Sequence, residues 1–185
     1  MHLVGSAATS RWCQTRPVQL RRLVLVRHAK AADGPVDADR PLTERGARHA
    51  AAIGTWLEQA GSVPERVLIS PARRAAQTWE QAGGQLLQGP PPIVDSRIYD
   101  NTVEALLAAI QETPDAVQVL AVVGHNPSIA ELAAVLDDGE GNPVARRDVE
   151  AGFPTGGVAV FSLAAPYTAI APGAGTLEDF AVPGD

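Results

Sequence analysis

Cysteine is almost absent from this sequence, since Cys13 is the only one among 185 residues. A single cysteine has no intramolecular partner, which excludes both a disulfide framework and a thiolate metal site. Long apolar runs are also missing, and none approaches the roughly 20 residues that a membrane-spanning helix needs. Residues 1–22 lack the apolar core of a secretion signal. We therefore expect a cytoplasmic protein without a membrane partner.

Positive charge is scarce as well. The chain carries 15 Lys and Arg residues against 21 Asp and Glu residues, a formal net charge of −6. General nucleic-acid binding needs a basic face that displaces counterions from phosphates, so this composition argues against a nucleic-acid partner. Any anionic ligand must be held by a few cationic side chains placed close together.

Short apolar runs alternate regularly with amphipathic segments along most of the chain. The apolar runs are typical of strands covered on both faces, and the amphipathic segments have the helical period. The predicted strands are 22–28, 66–70, 93–99 and 117–123. The predicted helices are 43–60, with Thr43 as N-cap, 72–87, 102–111 and a fourth that begins at Asn126-Pro127 with Pro127 in the first helical position.

Four successive strand–helix pairs predict parallel strands joined by right-handed crossovers. The expected fold class is α/β, a three-layer sandwich with a mostly parallel central sheet. Residues 156–163 add a fifth strand and 177–182 an edge strand. Residues 1–20 show no period and are expected to form a disordered extension outside a single domain of residues 21–185. Residues 137–155 also lack a period and predict a long loop, either a lid or a disordered segment.

Polar residues follow three of the predicted strands directly. Ligands of open α/β sheets bind beyond the carboxyl ends of the strands. The first strand leads into Arg27-His28, the second into Arg73-Arg74 and the fourth into His125. Two histidines and at least two arginines therefore converge on one edge of the sheet. Only one of Arg73 and Arg74 can enter a pocket there, because consecutive helical residues point about 100° apart.

This set of side chains suits phosphoryl transfer. A neutral imidazole is a nucleophile toward phosphorus, and its phosphorylated form can be hydrolysed. Guanidinium groups, a second imidazole in its protonated form and a helix N-terminus stabilise the phosphoryl oxygens without a metal. Arg27, Arg74, His125 and the helix that begins at Pro127 supply these elements. A zinc site is disfavoured because a third ligand is missing and the arginines repel a cation, so we expect no metal and no cofactor.

Four motifs occur in a characteristic order. They are Val-Arg-His-Ala at 26–29, Arg-Pro-Leu-Thr-Glu-Arg-Gly at 40–46, Ser-Pro-Ala-Arg-Arg-Ala-Ala-Gln-Thr at 70–78 and Val-Gly-His-Asn-Pro at 123–127. In these motifs the sequence resembles the histidine phosphatase superfamily. The resemblance implies a phosphoglycerate-mutase-like fold, with His28 as the nucleophile, Arg27 and Arg74 as phosphate-binding residues and His125 as the second pocket histidine.

Further segments are similar to the SixA-type phosphohistidine phosphatases of that superfamily. They are Arg-His-Ala-Lys at 27–30, Arg-Ile-Tyr at 97–99 and Pro-Thr-Gly-Gly-Val-Ala-Val at 154–160. The resemblance implies a metal-independent phosphatase that acts through a phosphohistidine intermediate on protein phosphohistidine. Many superfamily members place a carboxylic acid after the third strand, and Asp100 is the nearest match. A phosphoramidate needs this acid less, because its leaving nitrogen can be protonated before the bond breaks.

Two other functions fit the same residues. A phosphomonoesterase would act on a small phosphorylated metabolite, a sugar, nucleotide or lipid-linked phosphate, with Asp100 as general acid. A non-catalytic module would only bind a phosphorylated partner. Two local features also have two interpretations: Arg40 is either a pocket wall that binds substrate or a surface residue, and the aspartates at 33, 37 and 39 form either a solvated loop or a screen against acidic partners.

Overall fold

A computed structural model describes residues 20–184 of the chain. The predicted N-terminal extension, Leu20 excepted, and Cys13 lie outside the described residues. Within them, the strands are β1 (Arg21–Arg27), β2 (Arg66–Ile69), β3 (Ile93–Val94), β4 (Val119–Gly124), β5 (Val158–Leu163) and β6 (Gly175–Ala181). The helices are α1 (Glu44–Gln59), α2 (Arg73–Gly83), α3 (Val103–Gln111), α4 (Ser128–Leu136) and α5 (Pro143–Ala151).

The strands form one sheet in the order β3-β2-β4-β1-β5-β6. The four strands from β3 to β1 are parallel to their neighbours, whereas β5 runs antiparallel to β1 and β6 antiparallel to β5. The predicted α/β class with a mostly parallel sheet is therefore confirmed. Residues 23–26 of β1 are at most 1% exposed, as expected for an apolar strand covered on both faces.

Helices cover both faces of the sheet and complete the three layers. Ile53 and Leu57 of α1 pack with Trp79 of α2 on one face. Leu106 of α3 and Leu132 of α4 belong to the core on the other face. No helix among residues 20–184 has both the length and the apolar character needed to cross a bilayer.

Two close approaches fix where α1 lies. A Cβ atom added to Gly46 would stand 2.1 Å from the Lys30 carbonyl oxygen, and one added to Gly54 would stand 2.0 Å from the Ala82 carbonyl oxygen. Only glycine allows the backbones to come this near. The predicted cap is confirmed, since the Thr43 hydroxyl accepts a hydrogen bond from the Gly46 N–H. The start of α1 is therefore held against the segment that follows β1.

The third predicted strand is wrong beyond Val94. The Asp95 carboxylate accepts hydrogen bonds from the Arg97 backbone N–H and guanidinium, and this contact turns the chain into a short 3₁₀ helix at Ser96–Ile98. Ile98 is thereby buried completely in the core.

The predicted loop at 137–155 is also wrong, because it contains α5. Asn142 caps this helix by accepting from the Val144 and Ala145 N–H groups, and Pro143 occupies the first helical position. Ala145 is the only fully buried residue of the helix, which explains why its sequence shows no clear hydrophobic period.

The predicted start of α4 needs a correction as well. The helix begins at Ser128, one residue after Pro127, and the Asn126 side chain does not cap it. Asn126 Nδ2 instead donates to the Phe153 carbonyl, and the peptide bond between Asn126 and Pro127 is cis. The capping acceptor comes from Asn101, whose Oδ1 accepts from the Ser128 N–H and hydroxyl at 3.2 and 2.8 Å.

Candidate active site

A cavity of about 800 Å³ opens at the carboxyl ends of β1, β2 and β4. Arg27 is the last residue of β1, Arg74 lies in the first turn of α2, and His125 directly follows β4. Val26 and Ile69 both pair with Val123, and the His28 N–H donates to the Gly124 carbonyl. This register brings the three strand ends level, so Arg27, His28, Arg74 and His125 line one cavity.

His28 is held in the form that an attacking group needs. Its Nδ1 donates to the Ala29 carbonyl at 2.8 Å, which leaves the lone pair on Nε2. This Nε2 accepts a hydrogen bond from Arg74 Nε at 3.2 Å. Burial, with added repulsion from the charges of Arg74 and Arg27, lowers the pKa of His28 to about 4. The imidazole is therefore neutral at pH 7.

Arg74 is the central cation of the cavity. Its side chain is only 8% exposed, whereas the adjacent Arg73 is exposed to solvent. Beyond the bond to His28, Arg74 donates through Nη1 to the Asp37 carbonyl at 2.6 Å and through Nη2 to Asp37 Oδ2 at 2.9 Å. A guanidinium has five N–H groups, so two remain for the oxygens of a ligand.

His125 lies deeper, with 5% of its surface exposed. Its ring centre is 5.0 Å from that of His28, and its Nε2 is 2.7 Å from the Ser70 hydroxyl oxygen. The Ser70 oxygen also accepts from the Ala72 N–H, and its own hydrogen has no acceptor other than Nε2 among the described residues, so the hydroxyl donates to Nε2 and the imidazole proton lies on Nδ1. Nδ1 is buried and has no hydrogen-bond partner among the described residues. Its hydrogen is therefore not used by any other described residue.

The protonation of His125 departs from the sequence-based prediction. Burial and the nearby His28 and Arg74 lower the pKa of His125 to about 3, so the ring is neutral at pH 7 and not the imidazolium that we expected. Bound phosphate would raise this pKa, because a nearby negative charge favours the protonated ring.

Arg27 reaches the same cavity from β1. Its Nη1 donates to the Phe153 carbonyl at 2.8 Å, the same oxygen that receives Asn126 Nδ2. Its Nε is buried without a partner among residues 20–184, and burial lowers the pKa of this guanidinium. The segment before β5 thus fixes Arg27 while leaving part of its hydrogen-bonding capacity free.

Three half-buried or exposed residues surround the mouth of the cavity, and we call them the rim: Asp37, Arg40 and Tyr99. Asp37 Oδ2 accepts from the Tyr99 hydroxyl at 3.0 Å, and Asp37 Oδ1 accepts from Arg40 Nη1 at 3.1 Å. Hydrogen bonds from Arg74, Tyr99 and Arg40 lower the pKa of Asp37 to about 2. Of the two interpretations of Arg40, the structure favours the pocket wall.

Asp100, predicted as a possible general acid, is exposed and does not line the cavity. The two neighbouring residues in the sequence, Tyr99 and Asn101, do line the cavity. Asn101 adopts a left-handed φ of 58°, and its Nδ2 donates to the Asn126 carbonyl while its Oδ1 caps α4. The one available signal for Asn101 is that asparagine tolerates the left-handed conformation.

The first backbone N–H groups of α4 do not point freely into the cavity. The Ser128 N–H is taken by Asn101 and the Ile129 N–H by the His125 carbonyl. The predicted contribution of this helix N-terminus to anion binding is therefore smaller than its position alone suggests. Side chains, rather than these N–H groups, supply the cations and donors of the site.

Ser70 and Thr78 contribute to the site although the sequence did not single them out. Ser70 contacts His125, as described above. Thr78 Oγ1 accepts from the Ala29 N–H at 3.0 Å and donates to the Arg74 carbonyl at 2.7 Å. It thereby connects the residue after His28 to the first turn of α2. Within residues 20–184, no three His, Cys, Asp or Glu side chains are grouped so that they could hold a metal ion.

Comparison with known proteins bears on both the fold and the cavity. Residues 23–100 match the model of the histidine phosphatase superfamily (branch 1). An uncharacterized protein of Mycobacterium tuberculosis is 37% identical over 161 residues, which cover 85% of this chain and 99% of that protein. The phosphohistidine phosphatase SixA of Escherichia coli is 31% identical over 132 residues, 66% of this chain and 78% of SixA.

A solved structure shares the whole architecture. The protein histidine phosphatase SixA complexed with tungstate superposes with a TM-score of 0.71 at 30% identity, covering 88% of this chain and 97% of that one. The similarity in fold therefore extends over most of the chain.

Proposed function

Because the chain belongs to the histidine phosphatase superfamily, we propose that residues 21–185 form a metal-independent phosphatase domain in which His28 takes the phosphoryl group. The observation that carries this proposal is the state of His28. Its Nδ1 carries the proton and donates it in a hydrogen bond to the Ala29 carbonyl, and its Nε2 lone pair faces Arg74. Its pKa of about 4 keeps the ring neutral. A neutral imidazole with a directed lone pair is a competent nucleophile for phosphoryl transfer.

The first step transfers the phosphoryl group to the protein. The hydrogen bond from Arg74 Nε to His28 Nε2 breaks, and the guanidinium reorients so that its hydrogens face the phosphoryl oxygens. His28 Nε2 then bonds to phosphorus as the bond from phosphorus to the leaving group breaks, with the electron pair going to the leaving group. Arg27, Arg74 and the Nδ1 hydrogen of His125 stabilise the three oxygens. Water next attacks the phosphohistidine, restoring neutral His28 and releasing inorganic phosphate.

The substrate that we propose is protein phosphohistidine. An alkyl ester requires an acid that protonates the departing oxygen. Asp37 is the carboxyl group in contact with Arg74, and its pKa of about 2 keeps it ionised at pH 7, while Asp100 lies outside the cavity. A phosphorylated imidazole avoids this requirement, and the similarity to the SixA proteins supports the same choice.

The test compares kcat/KM for a phosphohistidine-bearing protein with kcat/KM for an aryl and an alkyl phosphomonoester, all in EDTA. We expect a strong preference for phosphohistidine and loss of all turnover in His28→Ala. A preference for an ester would assign the protein to phosphatases of small metabolites instead. Binding of phosphoprotein without turnover would favour the non-catalytic module.

A further inference from the structure

The candidate site has a clear gradient of depth. Arg74 and His125 are 6% and 5% exposed, whereas Tyr99 is 38% exposed and the Asp37 side chain 53% exposed. A phosphoryl group that reaches His28 therefore lies at the bottom, and the group to which it is attached lies between the members of the rim. The rim, and not the deep arginines, meets the leaving group.

Asp37 is the anion at that position, and its contacts change when a phosphoryl group enters. Its carboxylate and backbone carbonyl hold Arg74 through two hydrogen bonds, and these are given up if the guanidinium turns to bind phosphoryl oxygens with more than its two remaining N–H groups. Once Arg74 turns to the phosphoryl group, the carboxylate retains Tyr99 and Arg40 as donors. A carboxylate has about four acceptor positions, so it then has room for a further N–H donor.

Phosphohistidine carries such a donor on its leaving group. When one ring nitrogen bears phosphorus, the other nitrogen of the protonated ring bears a hydrogen. Alkyl and aryl esters have no N–H at an equivalent place. We propose that Asp37 is a specificity residue of this site, which accepts a hydrogen bond from the free N–H of a substrate phosphohistidine ring. The inference rests on the proposed function, since it concerns the same substrate.

The protonation state of the substrate ring determines whether the leaving group is neutral imidazole or imidazolate. In the protonated ring, breakage of the P–N bond returns the electron pair to the leaving nitrogen and produces neutral imidazole. In the unprotonated ring, the same step would produce an imidazolate anion, a much poorer leaving group. A carboxylate beside the N–H favours the protonated ring, as an opposite charge within a few ångströms raises the pKa of a base by about 1 to 3 units. Asp37 therefore extends fast phosphoryl transfer to higher pH.

The other charged and titratable groups near Asp37 are few. Arg74, Arg40 and Tyr99 contact it directly, and Lys30, Asp33, His28 and His125 also line the cavity. In the structure the two imidazoles have pKa values of about 4 and about 3, and a bound phosphoryl group raises the pKa of His125 whichever substrate carries it. A pH dependence between 5.5 and 8 that requires the Asp37 carboxylate and is not found with an aryl phosphate therefore reports on the substrate ring.

The experiment measures single-turnover rates of a saturating excess of enzyme with a phosphohistidine peptide from pH 5.5 to 8. If a reference ring pKa of about 6.5 rises by about one unit beside Asp37, Asp37→Asn is about eightfold slower than the wild type at pH 8 and less than twofold slower at pH 5.5. The Asp37→Glu variant, which keeps the charge, should keep the wild-type pH dependence. Asp39→Asn removes the same charge from the same turn, outside the cavity lining, and serves as the matched control.

An aryl phosphate provides the second arm, because its leaving group has no ring nitrogen. For this substrate the ratio of Asp37→Asn to wild-type rates should not vary with pH. A loss in Asp37→Asn that is equal at all pH values and for both substrates would overturn the inference, since Asp37 would then only orient Arg74. Unchanged rates would overturn it as well. Failure of the wild type to release phosphate from the phosphohistidine peptide would instead reject the proposed function itself.

Discussion

Ser70 determines which ring nitrogen of His125 carries the proton. Its hydroxyl is 2.7 Å from His125 Nε2, and both groups are buried at the end of β2 and β4. Because the Ser70 hydrogen has no other acceptor among the described residues, it is directed to the imidazole, and the ring proton lies on Nδ1. The sequence predicted that His125 enters the pocket, but this proton assignment depends on a contact between two strand ends.

The Ser70→Ala variant tests this assignment. We expect kcat/KM to fall about tenfold, since the loss of one buried hydrogen bond costs about 1–1.5 kcal/mol and leaves Nε2 free to take the proton from Nδ1. Ser70→Thr, which keeps a hydroxyl, should retain more activity. Ser162→Ala removes another buried serine hydroxyl on β5 and is the matched control. Wild-type activity of Ser70→Ala would show that other contacts fix His125.

At the scale of elements, the strand ends could be predicted and the contacts between loops could not. Apolar runs locate β1, β2 and β4, and the chemistry follows because parallel strands end at one edge. The helix α5 was missed because a single buried alanine gives no period, and β3 was overextended because the turn depends on the side chain of Asp95. Asn101 was missed because its partners, Ser128 and Asn126, are more than 20 residues away along the chain.

Asn101 connects the turn before α3 to the start of α4, and its removal should therefore affect both stability and activity. The Asn101→Gly variant keeps the left-handed backbone but loses the contacts with Ser128 and the Asn126 carbonyl. We expect the free energy of unfolding to fall by about 1–2 kcal/mol and kcat/KM to fall several-fold, because the residue after His125 is no longer fixed. Urea unfolding and steady-state kinetics measure the two effects.

The control for this change is Asn142→Ala, which removes a similar cap from α5 at a residue that does not line the cavity. It should lower stability by about 1 kcal/mol and leave kcat/KM near the wild-type value. If Asn101→Gly lost stability in the same way without any loss of kcat/KM, Asn101 would be a helix cap and nothing more.

At the scale of the whole molecule, the site is maintained by burying two imidazoles beside arginines in a protein of net charge −6. The sheet and both helical layers provide this burial, and it keeps His28 and His125 neutral with pKa values of about 4 and about 3. An ordinary histidine in the unfolded chain has a pKa of about 6.5. The unfolded chain therefore binds protons more readily than the folded protein once the pH falls below that value.

The sign of the resulting pH dependence follows from linkage. Between about pH 6.5 and pH 4 the unfolded state holds more protons, so the free energy of unfolding decreases as the pH is lowered. Each ring contributes at most about 1.4 kcal/mol per pH unit. Asp37, with a pKa of about 2, loses its stabilising ion pairs only below about pH 4 and does not affect this range.

Urea unfolding at pH 7, 6 and 5 measures this loss directly. We expect the unfolding midpoint to fall at each step, and to fall less in a His28→Asn, His125→Asn double variant, which has neither titrating ring. A midpoint that is constant from pH 7 to pH 5 in the wild type would mean that the two histidines take up protons as readily in the folded protein as in the unfolded chain. The lowered pKa of His28, which the proposed mechanism uses to keep the ring neutral, would then be contradicted as well.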